Sequence, residues 1–130
     1  MGNIDLTNVE YSTLNEYTVN TLINVDIEIE VEQNLSKYLD KLLEFSDNSD
    51  ISIIKTKDIK SYLPTLKKFG LNEDIVFAIG DVLCRHIDNS NSSEPTEQGF
   101  CGTIIYKGKK IYAEIIFDAD TLDFIIDLQQ

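Results

Sequence analysis

The side chains in this chain that could do chemistry are few, and their spacing decides what each can attempt. His86 is the only histidine, and Cys84 and Cys101 are the only cysteines. Cys84 and His86 sit two apart in a helical pattern, so their side chains diverge by about 200° and cannot meet as a nucleophile–base dyad or a shared chelate. A zinc site needs four ligands, usually in closely spaced pairs, and no such pairs are present. Cys84 therefore reads as a small buried hydrophobe and His86 as a helix-terminal residue, and no disulfide is expected between reduced thiols. Asp118, Asp120 and Asp123 suggest a calcium loop, but Leu122 stands where a ligand is required. Asp123 replaces the glycine of the turn, and Gln129 the bidentate glutamate. No Gly-rich phosphate loop or nucleophile elbow occurs, so no metal, cofactor or enzymatic activity is expected.

What remains is charge. The run Val25 to Glu32 reads Val-Asp-Ile-Glu-Ile-Glu-Val-Glu, aliphatic residues alternating strictly with carboxylates. That alternation predicts a half-buried β-strand with Asp26, Glu28, Glu30 and Glu32 on one wet face. Neighbouring acids would lie about 6.7 Å apart and repel by roughly 0.6 kcal/mol in water, tolerable where solvent or a basic partner covers them. Glu114, Asp123 and Asp127 would join this face if their strands are neighbours, with Tyr112 as an apolar anchor. The one basic cluster, Lys107, Lys109 and Lys110, reads as a hairpin tip that aids solubility and protects a strand edge.

The elements that must position these residues follow from periodicity. The odd positions from Tyr17 to Val31 are nearly all apolar or β-branched, too long for one strand, so a turn or bulge is expected near Thr21 to Asn24. Whether the first 24 residues form a strand, a hairpin or a helix stays open. From Asn34, a plausible N-cap, Leu35, Tyr38, Leu39, Leu42 and Leu43 share a helical face that ends in the polar run Ser46 to Asp50. Ile51 to Ile54 is a short strand or a connector. From Thr56 to Phe69 either a helix kinks at Pro64, or one helix ends and another begins with Pro64 in its first turn; Gly70 stops it. Asn72 then caps a helix over Glu73 to Ile87 that is apolar on almost every side. Asp88 to Gln98 reads as a mobile polar loop. Three strands come after it, Gly99 to Tyr106, Lys110 to Phe117 and Leu122 to Leu128, joined by turns short enough for an antiparallel meander.

The expected fold is one α+β domain over residues 1–130. The ladder strand joins the three-stranded meander in an antiparallel sheet, covered on one face by three or four helices and wet on the other. Its 23 acidic and 11 basic residues give a net charge of -12. Phosphate-binding surfaces are basic, so direct nucleic-acid contact is disfavoured, as is an anionic membrane. No apolar run reaches the length that spans a bilayer and no secretory leader is apparent, so a cytoplasmic location is expected.

In size, acidity and pattern of elements the chain resembles the immunity proteins that bacteria make against their own secreted or contact-delivered toxins. It also resembles phage inhibitors that imitate the charge of DNA. The resemblance is one of type and carries no family residues across. It implies an antitoxin that binds a basic toxin, such as a nuclease, and occludes its active site or substrate groove. A DNA-mimic inhibitor and a non-enzymatic adaptor are the alternatives.

Overall fold

In the computed structural model, which describes residues 25–89, 94–95, 99–118 and 121–128, the meander forms as its alternation requires. Strands β3 (Phe100–Tyr106), β4 (Lys109–Asp118) and β5 (Thr121–Asp127) run antiparallel, with Thr103 opposite Tyr112 and Tyr112 opposite Asp127. Lys107 and Gly108 both take positive φ, 52° and 79°. Such a two-residue turn matches the twist of the flanking strands, and Gly108 adopts it without a Cβ penalty. Two short strands complete the sheet, β1 (Ile53–Lys55) beside β5 and β2 (Glu94–Pro95) beside β3, giving the order β1-β5-β4-β3-β2. One face of the sheet is dry: Ile111, Ala113, Ile115, Leu122, Phe124 and Ile126 are all buried.

Four α-helices are described, α1 (Val25–Gln33), α2 (Leu35–Ser49), α3 (Leu63–Lys68) and α4 (Glu73–Asn89), with a 3-10 turn at Thr56–Ser61. Helix α4 starts as its sequence demands, the Ile75 N–H donating to Asn72 Oδ1 at 2.9 Å while Glu73 and Asp74 occupy the positive first turn. It packs on the dry face of β3, β4 and β5. The closest approach is at Gly80, where a Cβ would lie 2.7 Å from Phe124 Cγ; Phe77 meets the same ring edge-on at 6.4 Å between centroids. Cys84 is buried and His86 exposed, as expected of a packing residue and a helix-end histidine.

The second alternative for Pro64 holds. The 3-10 turn ends at Ser61, α3 begins with Pro64 in its first turn, and Gly70 closes it at φ 78°. The Leu71 N–H reaches Leu66 O and the Gly70 N–H reaches Lys67 O, both at 3.1 Å, which satisfies the last carbonyls. Helix α2 buries Tyr38, Leu39, Leu42 and Phe45 but runs through the polar stretch expected to be a loop. Ser49 Oγ donates to Phe45 O (2.6 Å) and Asn48 Nδ2 to Glu44 O (2.8 Å), so residues that usually break a helix are satisfied within it. Asn34 makes no side-chain cap; its Nδ2 and N–H both donate to Glu30 O, and it stands at φ -126°, ψ 39° as a one-residue joint between α1 and α2.

Besides the Asn34 cap and the end of α2, two larger expectations are overturned. The acidic ladder is not a strand: residues 25–33 form α1, and the fourth and fifth strands come from Ile53–Lys55 and Glu94–Pro95 instead. In a helix, alternate residues point about 200° apart, so the aliphatic positions split between two faces. Val31 is buried while Val25 and Ile29 are 54% and 40% exposed. The polar segment 88–98 is also not loop throughout, since α4 continues to Asn89 and Glu94 pairs with Cys101. The rest of that segment, and the strand or turn expected before residue 25, lie outside the described residues.

Candidate functional site

The helices cover one face of the sheet, and register places the chemistry of the strands on the other. Across that open face one row reads Thr103, Tyr112, Asp127 and Ile53, and the next Cys101, Glu114, Ile125 and Lys55. Asp123 lies opposite Ile116, and Ile105 opposite Lys110. Tyr112, Glu114, Asp123 and Asp127 are thus brought onto one surface by a period of two residues per strand. Ile105 is 65% exposed there and Ile53 41%, so apolar side chains stand among the acids.

Two of these groups are anchored. Tyr112 Oη donates to Glu114 Oε1 at 2.6 Å. Partial burial pushes the phenol well up, and the Glu114 bond and the nearby Cys101 add to the shift, so Tyr112 stays a neutral donor. Asp123 Oδ1 accepts from Thr56 Oγ1 at 2.9 Å, and the same hydroxyl accepts from the Phe124 N–H at 2.8 Å. A buried threonine thereby fixes the start of the 3-10 turn to β5. Glu114 and Asp127 are half-buried carboxylates of the same face.

The ladder acids do not join them. Helix α1 packs on α4, on the far side of the sheet from the open face. Its four carboxylates also fail to share a side: Glu28 and Glu32, four apart, turn inward, whereas Asp26 and Glu30 point outward. Glu30 accepts from Tyr38 Oη at 3.1 Å and lies 3.8 Å from Lys37 Nζ. Glu28 and Glu32 meet Arg85 of α4 at 3.3 and 3.5 Å, and Asp81, one turn back on α4, meets the same guanidinium at 3.3 Å.

Asp81 and Arg85 are not among the residues that the sequence pattern singles out. They are the charged residues in the middle of an otherwise apolar helix, four apart and so on one face, and that spacing was the available signal. Asp81 is 7% exposed. Burial first, then a hydrogen bond to Glu28 and the charges of Glu28 and Glu32, hold its carboxyl well above the ordinary range. Three carboxylates around one guanidinium are over-supplied with negative charge, and a proton retained on Asp81 relieves it.

The lysine cluster divides as well. Lys107 Nζ lies 3.0 Å from Asp40 Oδ1, and Tyr106 Oη donates to the same oxygen at 2.7 Å. The Tyr106 bond first, then Lys107, holds the Asp40 carboxyl below its ordinary value. The hairpin tip is thus tied to α2, while Lys109 and Lys110 remain exposed. Among the described residues no group of three or more His, Cys, Asp or Glu could hold a metal, and no helix is long and apolar enough to cross a membrane. The residues 119 and 120 of the suspected calcium loop lie outside the described set.

The class that fold and site together define is an acidic α+β domain in which, among the described residues, helices cover one sheet face and not the other. Comparison with protein-family models, curated proteins and solved structures finds no match to this chain.

Proposed function

We propose that this is a protein-binding domain whose partner presents a basic surface, and, within that class, an immunity protein that neutralises a toxin such as a nuclease by covering its substrate groove. The observation that carries the reading is the open face of β3, β4 and β5, where Glu114 and Asp127 flank Tyr112 beside exposed Ile105. Acids supply steering towards a basic partner, while an aromatic anchor and exposed aliphatics supply contact area that excludes water. A chain charge of -12 repels phosphates and favours a cationic protein. Lys55 and Lys110 at the margins of the face would help set the orientation of docking.

The test is to look for a toxin gene beside this one and to co-express the two. Growth should be restored and a 1:1 complex isolated, its association slowing as salt rises. Glu114→Gln with Asp127→Asn should lower the association rate about tenfold with little change in melting. A toxin left active, or a complex whose rate ignores both salt and the double substitution, would refute the proposal.

A further inference from the structure

The basic residues are unevenly spread. Five of the chain's 11, Lys55, Lys57, Lys60, Lys67 and Lys68, lie between the end of β1 and the end of α3, where Asp58 is the sole acid. They form no continuous run in the sequence, and the fold gathers them. Thr56 and Ile59 are each 2% exposed, and Tyr62 Oη accepts from the Lys55 N–H and donates to Lys55 O, both at 2.7 Å. These anchored residues recur every three, the period of a 3-10 turn, so Lys57 and Lys60, also three apart, are eclipsed on its outer side. The backbone beneath them is fixed, because Thr56 Oγ1 donates to Asp123 Oδ1 and accepts from the Phe124 N–H. All five lysines are exposed, and Lys57 and Lys60 border a cavity of about 500 Å³ beside the turn, with Ser61, Tyr62 and Glu73.

Local preference does not account for the whole set. Lys60, Lys67 and Lys68 close their short helices, where a cation suits the dipole, but Lys57 stands in a first turn and Lys55 on a strand. Like charges three apart also repel. In a chain with 23 acids, Lys37, Arg85 and Lys107 each meet a carboxylate, yet among the described residues none of these five lies in an ion pair, not even with Glu73 on the same cavity. The result is a pre-positioned row of cations that the described part of the molecule does not neutralise.

We propose that this lysine ledge, carried by the 3-10 turn and α3, docks a short, extended acidic segment of another protein, with Lys57 and Lys60 at its centre. At a rise of about 2.0 Å per residue these two lysines start about 6 Å apart, close to the roughly 6.7 Å between alternate carboxylates of an extended chain. The cations are all lysine, which binds as a point charge. Surfaces built for phosphates favour the planar fork of arginine, and Arg85, the chain's only arginine, is engaged at the α1–α4 contact. A short segment is what fits: with a Debye length of about 8 Å at physiological salt the lysines act locally, whereas a long polyanion meets the repulsion of a chain with net charge -12. The turn packs against α4, on the covered side of the sheet, so this docking holds whether or not the open face takes a basic partner.

Titrating the full chain, isotope-labelled, with a peptide of about eight residues that carries glutamate at every second position tests this by amide chemical shifts. Shifts should concentrate at residues 55–61 and 67–69, and binding should weaken several-fold between about 0.1 and 0.5 M salt. Lys57→Gln with Lys60→Gln should weaken it about fivefold or more, while Lys109→Gln with Lys110→Gln, exposed lysines of the hairpin, should leave it within about twofold. The same peptide with glutamine in place of glutamate should not bind. Absence of shifts, shifts spread equally over the hairpin lysines, or binding that ignores Lys57→Gln with Lys60→Gln would overturn the proposal. An oligothymidylate of about eight nucleotides that binds the ledge as tightly as the peptide would also overturn it, making the ledge a nucleic-acid contact instead.

Discussion

Replacing Asp81 by Asn should make the protein more stable at neutral pH and flatten its dependence on pH. The Asp81 carboxyl is 7% exposed and faces two further carboxylates, so its folded-state pKa stands well above the ordinary 3.8. For an acid whose pKa is raised on folding, the folded state binds the proton more tightly than the unfolded chain. Stability is therefore greatest at low pH with respect to this group, and it is lost as pH climbs from about 4 to the folded-state value. Within that window the loss is about 1.4 kcal/mol per pH unit. With a urea slope of about 1–3 kcal/mol/M for a domain of this size, that shifts the midpoint by roughly 0.5–1.4 M per pH unit. Asn is nearly isosteric, carries no proton to lose, and its amide can donate to Glu28 as the protonated carboxyl does. Urea melts of both proteins from about pH 4.5 to 8 would give a difference curve in which shared groups, such as Asp40, cancel. The curve should rise with pH in favour of the variant. Parallel curves, or a variant destabilised throughout, would mean that Asp81 is ionised in the fold and that the account of the cluster is wrong.

Two further outcomes test the packing. Gly80→Ala would normally strengthen a helix by about 1 kcal/mol, but the added Cβ would sit 2.7 Å from fully buried Phe124, so a loss of about 1–3 kcal/mol is expected in thermal melts. A more stable variant would show that Phe124 has room to move. Asn72→Ala removes the acceptor for the Ile75 N–H and should cost about 1 kcal/mol by urea titration, whereas an unchanged midpoint would deny the cap any role.

The sequence by itself determined what depends on local chemistry and on strong, unbroken periodicity. Asn72 followed by two acids and an apolar run specifies where α4 begins, because the cap and the dipole act within one turn. Alternation with a Lys-Gly turn specifies the meander, and the same period of two puts Tyr112, Glu114, Asp123 and Asp127 on one face once the strands are adjacent. Tertiary structure alone decided the state of residues 25–33. Their alternation predicts a strand, but a strand needs a neighbour's backbone to pair with, and the sheet is built from five other segments, with Ile53–Lys55 and Glu94–Pro95 at its edges. As a helix the segment satisfies its own backbone, and Arg85, more than fifty residues later in the chain, draws Glu28 and Glu32 inward. That choice divided the expected acidic face in two, sending α1 to the helix side and leaving Glu114, Asp123 and Asp127 on the open side. Charge pattern along a chain fixes which residues could cooperate; which of them share a surface depends on partners distant in sequence, and no local preference encodes those.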